Sequence, residues 1–288
     1  MATTTFLPTR EPFDGDAVLA FLAARAIDGV EEVRDGTYRR TLALPGGGAV
    51  LEATPRAGGV DAAVACEAAA DEDAALARCR RLFALDVDPA AVLDGLGSDP
   101  LLGPQVRRRP GLRIPGVVDG WEIAARAVLG QQISVAAARR LAGRITAALG
   151  EPLRAPAGAL THRFPTPESV AGAPDDAFPM PRARARALRA VAAAGLALDD
   201  PADAWALLDV WGVGPWTAGY VALRLGDPDV FLAGDVAVLR ALRALDGTLD
   251  DAAGWVPWRS FAVLHLWAGL TKADDVARRP EGRGPQTE

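Results

Sequence analysis

The chain has 288 residues, of which 50% are hydrophobic and 24% charged, and its formal net charge at pH 7 is −6. This length supports two or three lobes with a buried core, and the acidity argues against indiscriminate nucleic-acid binding. No apolar run approaches the ~20 residues that span a bilayer, and the first residues lack the layout of a secretory signal. We therefore expect a cytoplasmic protein without a membrane partner.

The positive charge is concentrated in arginine clusters at 107–113 and 181–189, which could be a solvated surface or a local nucleic-acid patch. Cys66 and Cys79 are too few for a disulfide framework or a four-cysteine iron–sulfur site, so we expect both thiols to be reduced and buried.

The first hundred residues predict a small α+β unit. Helical apolar spacing covers 16–27, and a second helix is expected at 71–85. Between them, short runs separated by the turn sequences "DG", "PGGG" and "AGG" read as strands. The expected strands are the segments "GVEEV", "TYRRTLAL", "AVLEATPR" and "GVDAAVAC". Such strands predict an antiparallel sheet.

From about residue 100 onward the pattern is helical. Asp119, Ser134 and Asp235 are good N-caps for three of the helices. The proline-rich piece 152–181 is expected to be a long connection with one short helical turn at "PESVAG". The helices are expected at 119–129, 134–149, 181–194, 202–209, 215–225, 235–245 and 258–270.

The segment "GVGPWTAGYVALR" follows one predicted helix and opens another. Gly212 and Gly214 bound the turn, and Pro215 suits the first turn of a helix. Such a turn brings backbone N–H groups close to an anion, so a helix–hairpin–helix that holds a nucleic-acid phosphate is one interpretation. An ordinary helix–helix corner ending in a glycine is the other.

Eight segments in order carry a family resemblance. They are "FLAARAI", "RRLF", "RPGLRIPGVVDGWE", "RAVLGQQISV", "FPTPESVA", "GVGPWTAGYVALR", "DVFLAGDVAVLR" and "WVPWRSFAVLHLW". Over roughly residues 10–272 the chain resembles the HhH-GPD superfamily of base-excision DNA glycosylases, and within it the bacterial 3-methyladenine DNA glycosylase II (AlkA) type.

The resemblance implies a mainly α-helical glycosylase fold preceded by a small antiparallel-sheet domain. It implies an α+β domain over 1–98, a helical domain of 99–118 with 229–288 that carries the catalytic carboxylate, and a helical domain over 119–228 that ends in the hairpin.

By resemblance, Asp235 is the catalytic residue. A carboxylate beside the sugar stabilises the positive charge that develops as the base leaves. Asp235 can also be a helix N-cap, and the two roles are compatible; Asp227 and Asp229 are nearby alternatives that fit the motif less well.

Relatives that also cut the strand carry a lysine where this chain has Trp216, and Lys272 is the only lysine, so we expect glycosylase activity without lyase chemistry.

The resemblance also implies a base pocket walled by aromatic rings. Trp216 and Tyr220 lie four residues apart on one helix face, and Trp267 comes from another helix. Phe21 is a further candidate, and Ala268 stands where the family can have another ring. An aromatic wall suits a purine made cationic by methylation. Without the family, such aromatics are more often core than pocket.

The remaining implied contacts are with DNA and with an ion. Gln132 corresponds to the residue inserted into the gap left by the flipped base, while the hairpin residues Gly212, Val213 and Gly214, with Gln131 and Arg182, would bind DNA. No cofactor is required, although the backbone carbonyls of Leu208, Val210 and Val213 could hold a structural sodium or potassium ion.

Three functions remain open at this stage. The first is excision of alkylated purines (3-methyladenine and 7-methylguanine) from duplex DNA, leaving an abasic site. The second is a glycosylase of the same fold for oxidised or deaminated bases. The third is a non-catalytic module that binds damaged DNA. In each case the expected partner is duplex DNA and the expected state is a monomer.

Overall fold

The computed structural model describes residues 4–277, with side chains described through residue 270. The N-terminal part is a five-stranded antiparallel sheet with α1 (Gly15–Arg25) and α2 (Glu72–Leu82) packed on it. The strands are β1 (Thr4–Pro8), β2 (Glu31–Arg34), β3 (Thr37–Leu44), β4 (Gly47–Arg56) and β5 (Gly59–Cys66). Their order in the sheet is β1-β5-β4-β3-β2. The expected α+β unit is therefore present.

Turn chemistry sets the register of this sheet. Asp35 and Gly36 both have positive φ, 51° and 76°, as the two central residues of a tight hairpin require. That turn places Tyr38 opposite Val33 in β2, and Tyr38 faces the core fully buried. Strand β1 was not predicted from the sequence. Leu7 is its only buried residue, so this short edge strand shows no alternation of apolar and polar residues.

The rest of the chain is helical. Most predicted helices are found within a few residues of their expected bounds. The exceptions are 202–209, which forms a 3-10 helix over Pro201–Asp209, and the last helix, expected at 258–270, which continues to Ala277. Two short helices, α3 and α4, were not predicted. The helices are α3 (Pro89–Leu96), α4 (Gly103–Arg108), α5 (Gly120–Leu129), α6 (Val135–Leu149), α7 (Pro167–Ala171), α8 (Arg182–Ala193), α9 (Pro215–Leu225), α10 (Val236–Ala244) and α11 (Arg259–Ala277).

The expectation that no strand follows residue 100 was wrong at one place. The proline-rich connection begins with a two-stranded sheet of β6 (Pro152–Ala157) and β7 (Leu160–His162), which docks on β3 through a hydrogen bond from Thr41 Oγ1 to the His162 carbonyl, 2.9 Å. Strand β6 is mostly exposed and begins with a proline, and β7 is only three residues long, so the sequence shows neither alternation nor an apolar run.

The molecule has two apolar cores. One fills the space between the sheet and its two helices, and the other runs through the helices from α3 to α11 around the fully buried Trp255. Cys79 is buried in the first core, whereas Cys66 is only half-buried; both thiols are free.

Four buried charges join the sheet to α5. Arg40 of β3 contacts Glu122 of α5 at 2.6 Å, and Arg126 of α5 contacts Glu31 of β2 and Glu122, each at 2.5 Å. All four side chains are largely removed from solvent, and each charge faces an opposite one, as buried ionic groups require. This network fixes how α5 lies against the sheet. Within residues 4–277 no helix combines the length and hydropathy that a bilayer span needs.

Candidate active site

Asp235 lies at the start of α10, where its carboxylate is held by three N–H donors. Its Oδ1 accepts from the Val238 amide at 2.9 Å, which makes it the N-cap of the helix. The indole Nε1 of Trp216 donates to Oδ2 at 2.9 Å, and that of Trp267 donates to Oδ1 at 3.1 Å. The half-buried carboxylate is thus oriented by two helices besides its own.

The aromatic residues form one wall of a cavity of about 1040 Å³ that Asp235 also lines. The rings of Trp216 and Tyr220 are stacked, with centroids 5.4 Å apart and planes 6° from parallel, because residues four apart share a helix face. Trp267 lies 6.4 Å from Tyr220 at a tilt of 53°. These three rings are half-buried around a hollow rather than enclosed in the core.

The rival carboxylates face elsewhere. Asp229 forms a paired contact with Arg259, 2.7 Å to each oxygen, and the hydrogen bonds from Arg259 hold the Asp229 pKa below its usual range. Asp227 accepts the Asp229 amide at 2.8 Å within the loop. Of the three aspartates, Asp235 alone lines the cavity.

Two arginines that line the cavity were missed by the sequence analysis. Arg224 donates to the carbonyls of Pro115 and Gly116, at 2.6 and 2.8 Å, and to the Tyr220 hydroxyl at 2.9 Å. Arg25 lines the cavity with its guanidinium 3.5 Å from the centre of the Phe21 ring. Phe21 therefore lies beneath Arg25 and, among the described residues, is not part of the cavity lining.

These cations change the titration of their neighbours. Burial alone would raise the Tyr220 pKa, but Arg224 and Arg25 outweigh it and lower that pKa below its ordinary value. Burial also lowers the pKa of Arg25. A signal for both arginines was present, because each follows an aromatic residue by four positions, Phe21 and Tyr220 respectively.

The two hairpin glycines differ in what they do. Gly212 has φ +83°, and a Cβ added there would lie 2.6 Å from the Ala187 side chain of α8, so both conformation and space require glycine. A Cβ added at Gly214 would have no atom within 4 Å, and its cap conformation has an ordinary φ of −115°, so the space before the α9 N-terminus is open. The open side of the turn is therefore beside Gly214.

The glutamines occupy the turn between α5 and α6. Gln131 donates from Nε2 to the Gly212 carbonyl at 3.0 Å, which ties this turn to the hairpin. Gln132 is exposed, borders the cavity and has φ +58°, an unusual conformation for a residue other than glycine. Arg182 is exposed at the first position of α8.

The possible ion site involves backbone groups alone. The Val210 carbonyl already accepts the Val213 amide at 3.1 Å, and an oxygen has a second lone pair, so the segment is compatible with a monovalent cation. No side-chain cluster of His, Cys, Asp or Glu suited to a metal occurs among the described residues. His265 is buried, and burial, with a smaller effect of Arg109, lowers its pKa to about 4. The side chain of Lys272 lies outside the described residues.

Comparison with known proteins decides the family. The chain is 38% identical over 272 residues to DNA-3-methyladenine glycosylase 2 of Escherichia coli K12, and the match covers 89% of this chain and 94% of that protein. The chain belongs to the DNA-3-methyladenine glycosylase 2 (AlkA) family. Residues 4–119 match the model of the AlkA N-terminal domain.

Two further comparisons extend this result. The chain is 44% identical over 280 residues to a probable bifunctional transcriptional activator/DNA repair enzyme AlkA of Mycobacterium tuberculosis; the match covers 92% of this chain, which spans only 56% of that relative. Among solved structures, a 3-methyladenine DNA glycosylase from Archaeoglobus fulgidus superposes with a TM-score of 0.78 at 21% identity, covering 91% of this chain and 97% of that one. The expected family and fold class are confirmed; the division into two helical domains stays a prediction.

Proposed function

We propose that this protein is a DNA repair glycosylase that flips alkylated purines out of duplex DNA and hydrolyses their N-glycosidic bond, leaving an abasic site. The observation that carries the proposal is the carboxylate of Asp235, held by the indoles of Trp216 and Trp267 at the edge of the aromatic cavity. Similarity to DNA-3-methyladenine glycosylase 2 supports 3-methyladenine as a substrate class, and the aromatic wall supports related cationic purines such as 7-methylguanine.

The charges that line the cavity suit this reaction. As the bond breaks, positive charge develops on the sugar and electrons move into the base. Asp235 stabilises the sugar cation. The cations of Arg25 and Arg224 beside Tyr220 repel the positive charge of the methylated base and so favour the electron flow that neutralises it. Stacking on Trp216 holds the purine beside these groups. The bond is thus polarised in the direction of cleavage.

The rest of the site would bind the DNA. The open turn at Gly214 leaves room for a phosphate at the N-terminus of α9, where the helix dipole favours an anion. Gln132 projects from the neighbouring turn and would fill the gap left by the flipped base, which costs a few kcal/mol to open. A monovalent cation on the carbonyls of Leu208, Val210 and Val213 would neutralise part of the phosphate charge.

Substitution of Asp235→Asn tests the catalytic role. Asn is as good an N-cap as Asp, so α10 should stay capped and the affinity for a duplex with a stable abasic analogue should be retained. The Asn amide nitrogen cannot accept the indole N–H of Trp216, so we expect a modestly lower unfolding midpoint. Without the negative charge, release of free base should fall by at least about 100-fold, the scale seen when one electrostatic stabiliser is removed. Base release at the wild-type rate would refute the role of Asp235.

A panel of duplexes distinguishes the lesion classes. We expect release from duplexes that carry methylated purines and slower release from those with oxidised or deaminated bases. Preference for an oxidised or deaminated base would favour the second interpretation, and binding without release from any lesion would favour a non-catalytic module.

Trp216 in the place of the lysine predicts a monofunctional enzyme. Borohydride reduces the Schiff base that a lyase forms with the sugar and so traps the protein on DNA. We expect no trapped adduct under conditions in which base is released. A trapped adduct would show that an amine of this chain attacks the sugar.

A further inference from the structure

Arg186 and Trp211 form a cation–π pair beside the hairpin. The Arg186 guanidinium carbon lies 4.0 Å from the centre of the Trp211 ring, and 46% of Trp211 is exposed. Trp211 directly precedes Gly212, and Arg186 directly precedes Ala187, the residue against which Gly212 is packed. The α8 helix and the hairpin turn therefore contact each other both at Ala187 and Gly212 and, at the surface, at Arg186 and Trp211.

Within residues 4–270, no acidic side chain neutralises the charge of Arg186. Among residues 4–270 it forms no ion pair and no hydrogen bond, whereas Arg189 on the next turn of α8 pairs with Asp175 at 2.6 Å. Arg184 is also satisfied, since it donates to the Gln131 carbonyl at 2.6 Å. Arg182, four residues before Arg186, is exposed on the same face of α8. This face presents two cations next to the hairpin.

The indole of Trp211 holds the Arg186 guanidinium at the surface. Stacking on Trp211 limits the side chain to one orientation at an exposed site, which lowers the entropy lost when it binds an anion. The guanidinium also covers the apolar ring. A cation lying over the indole makes this surface suited to an anion and unsuited to an apolar protein partner.

We propose that Arg186, held in place by Trp211, binds the DNA phosphate adjacent to the one at the Gly212–Gly214 turn. This inference rests on the proposed function only in that the hairpin contacts DNA. Arg186 reads no base, because an exposed guanidinium at the hairpin edge contacts the backbone and contributes affinity without sequence preference. Trp211 acts as a positioning residue.

The test measures binding of Arg186→Gln to a duplex that carries a stable abasic analogue, by fluorescence anisotropy over a range of salt concentrations. We expect a Kd about five- to tenfold higher at low salt and a slope of log Kd against log salt smaller by about one phosphate, ~0.9. Arg154→Gln is the matched control, since Arg154 is exposed on β6, away from the hairpin, and the substitution removes the same charge. The control should bind like wild type.

A double variant tests the role of the indole. If Trp211 acts by positioning Arg186, Trp211→Ala weakens binding, and combining it with Arg186→Gln adds little further loss. If the losses of the two single variants add fully in the double variant, Trp211 does not position Arg186. If Arg186→Gln has the same Kd and salt slope as Arg154→Gln, Arg186 does not contact a phosphate. Failure of the proposed function is distinguishable from these outcomes. In that case the wild-type protein releases no base, but the binding of the variants can still be compared.

Discussion

His265 is a buried imidazole that the proposed chemistry does not use. It is 3% exposed, and burial holds its pKa at about 4, against about 6.5 in an unfolded chain. As pH falls through this window, the unfolded chain takes up a proton that the folded protein does not, so the free energy of unfolding decreases. Above about pH 6.5, His265 is neutral in both states and does not make the free energy of unfolding depend on pH.

His265→Leu should remove this pH dependence. Between pH 7.5 and pH 5 the wild-type protein should lose about 2 kcal/mol of unfolding free energy through His265, and the variant should lose less by that amount. Urea denaturation at the two pH values measures the difference. Equal losses in the two proteins would show that His265 is protonated in the folded state at pH 5.

Within the hairpin, Gly212 is required for stability, whereas Gly214 borders the proposed phosphate site. Gly212→Ala should lower the free energy of unfolding by about 1–3 kcal/mol, because alanine is strained at a positive φ and its methyl group would meet Ala187. Gly214→Ala has neither problem and should leave stability within about 0.5 kcal/mol of wild type. Thermal or urea unfolding checks both values.

Gly214→Ala, which should be as stable as wild type, should nevertheless weaken DNA binding. In Gly214→Ala the new methyl group occupies the space that a phosphate would enter, so a stable protein should bind duplex DNA at least about tenfold more weakly. Wild-type affinity in Gly214→Ala would mean that the DNA backbone does not approach this turn.

The elements that the sequence analysis predicted correctly are those with a strong local pattern. Asp35–Gly36 has the composition of a hairpin turn, and Asp119, Ser134 and Asp235 cap helices as expected. The hairpin β6–β7 was missed because its stability comes from docking on β3, which sequence spacing does not show. At the site, spacing predicted that Trp216 and Tyr220 share one helix face. The four-residue spacing from Phe21 to Arg25 does not show where α1 packs, so it could not predict that Arg25 reaches the cavity from the N-terminal domain.

At the scale of the whole molecule, the cavity depends on the contact between the sheet and α5. Burial would raise the Glu122 pKa, but Arg40 and Arg126 lower it from 4.5 to about 2. The folded pKa is depressed, so this stabilisation is present above about pH 4.5 and is lost as pH falls toward 2. Glu31, Arg40, Glu122 and Arg126 also line the cavity, so the same ion pairs determine its shape.

Glu122→Gln should destabilise the protein by about 3–5 kcal/mol, since it leaves Arg40 and Arg126 buried with Glu31 as their remaining acidic contact. Its unfolding free energy should also depend less on pH between 4.5 and 2 than that of wild type. An unchanged unfolding midpoint at pH 7 would show that these ion pairs do not hold the sheet and α5 together.

The reaction at the aromatic cavity beside Asp235 can be measured directly. The most direct measurement incubates the protein with a duplex treated with a methylating agent and analyses the released material by chromatography. We expect free 3-methyladenine and 7-methylguanine from strands that stay unbroken and carry abasic sites. Duplex that is bound with no base released, or strands cut as bases leave, would contradict it.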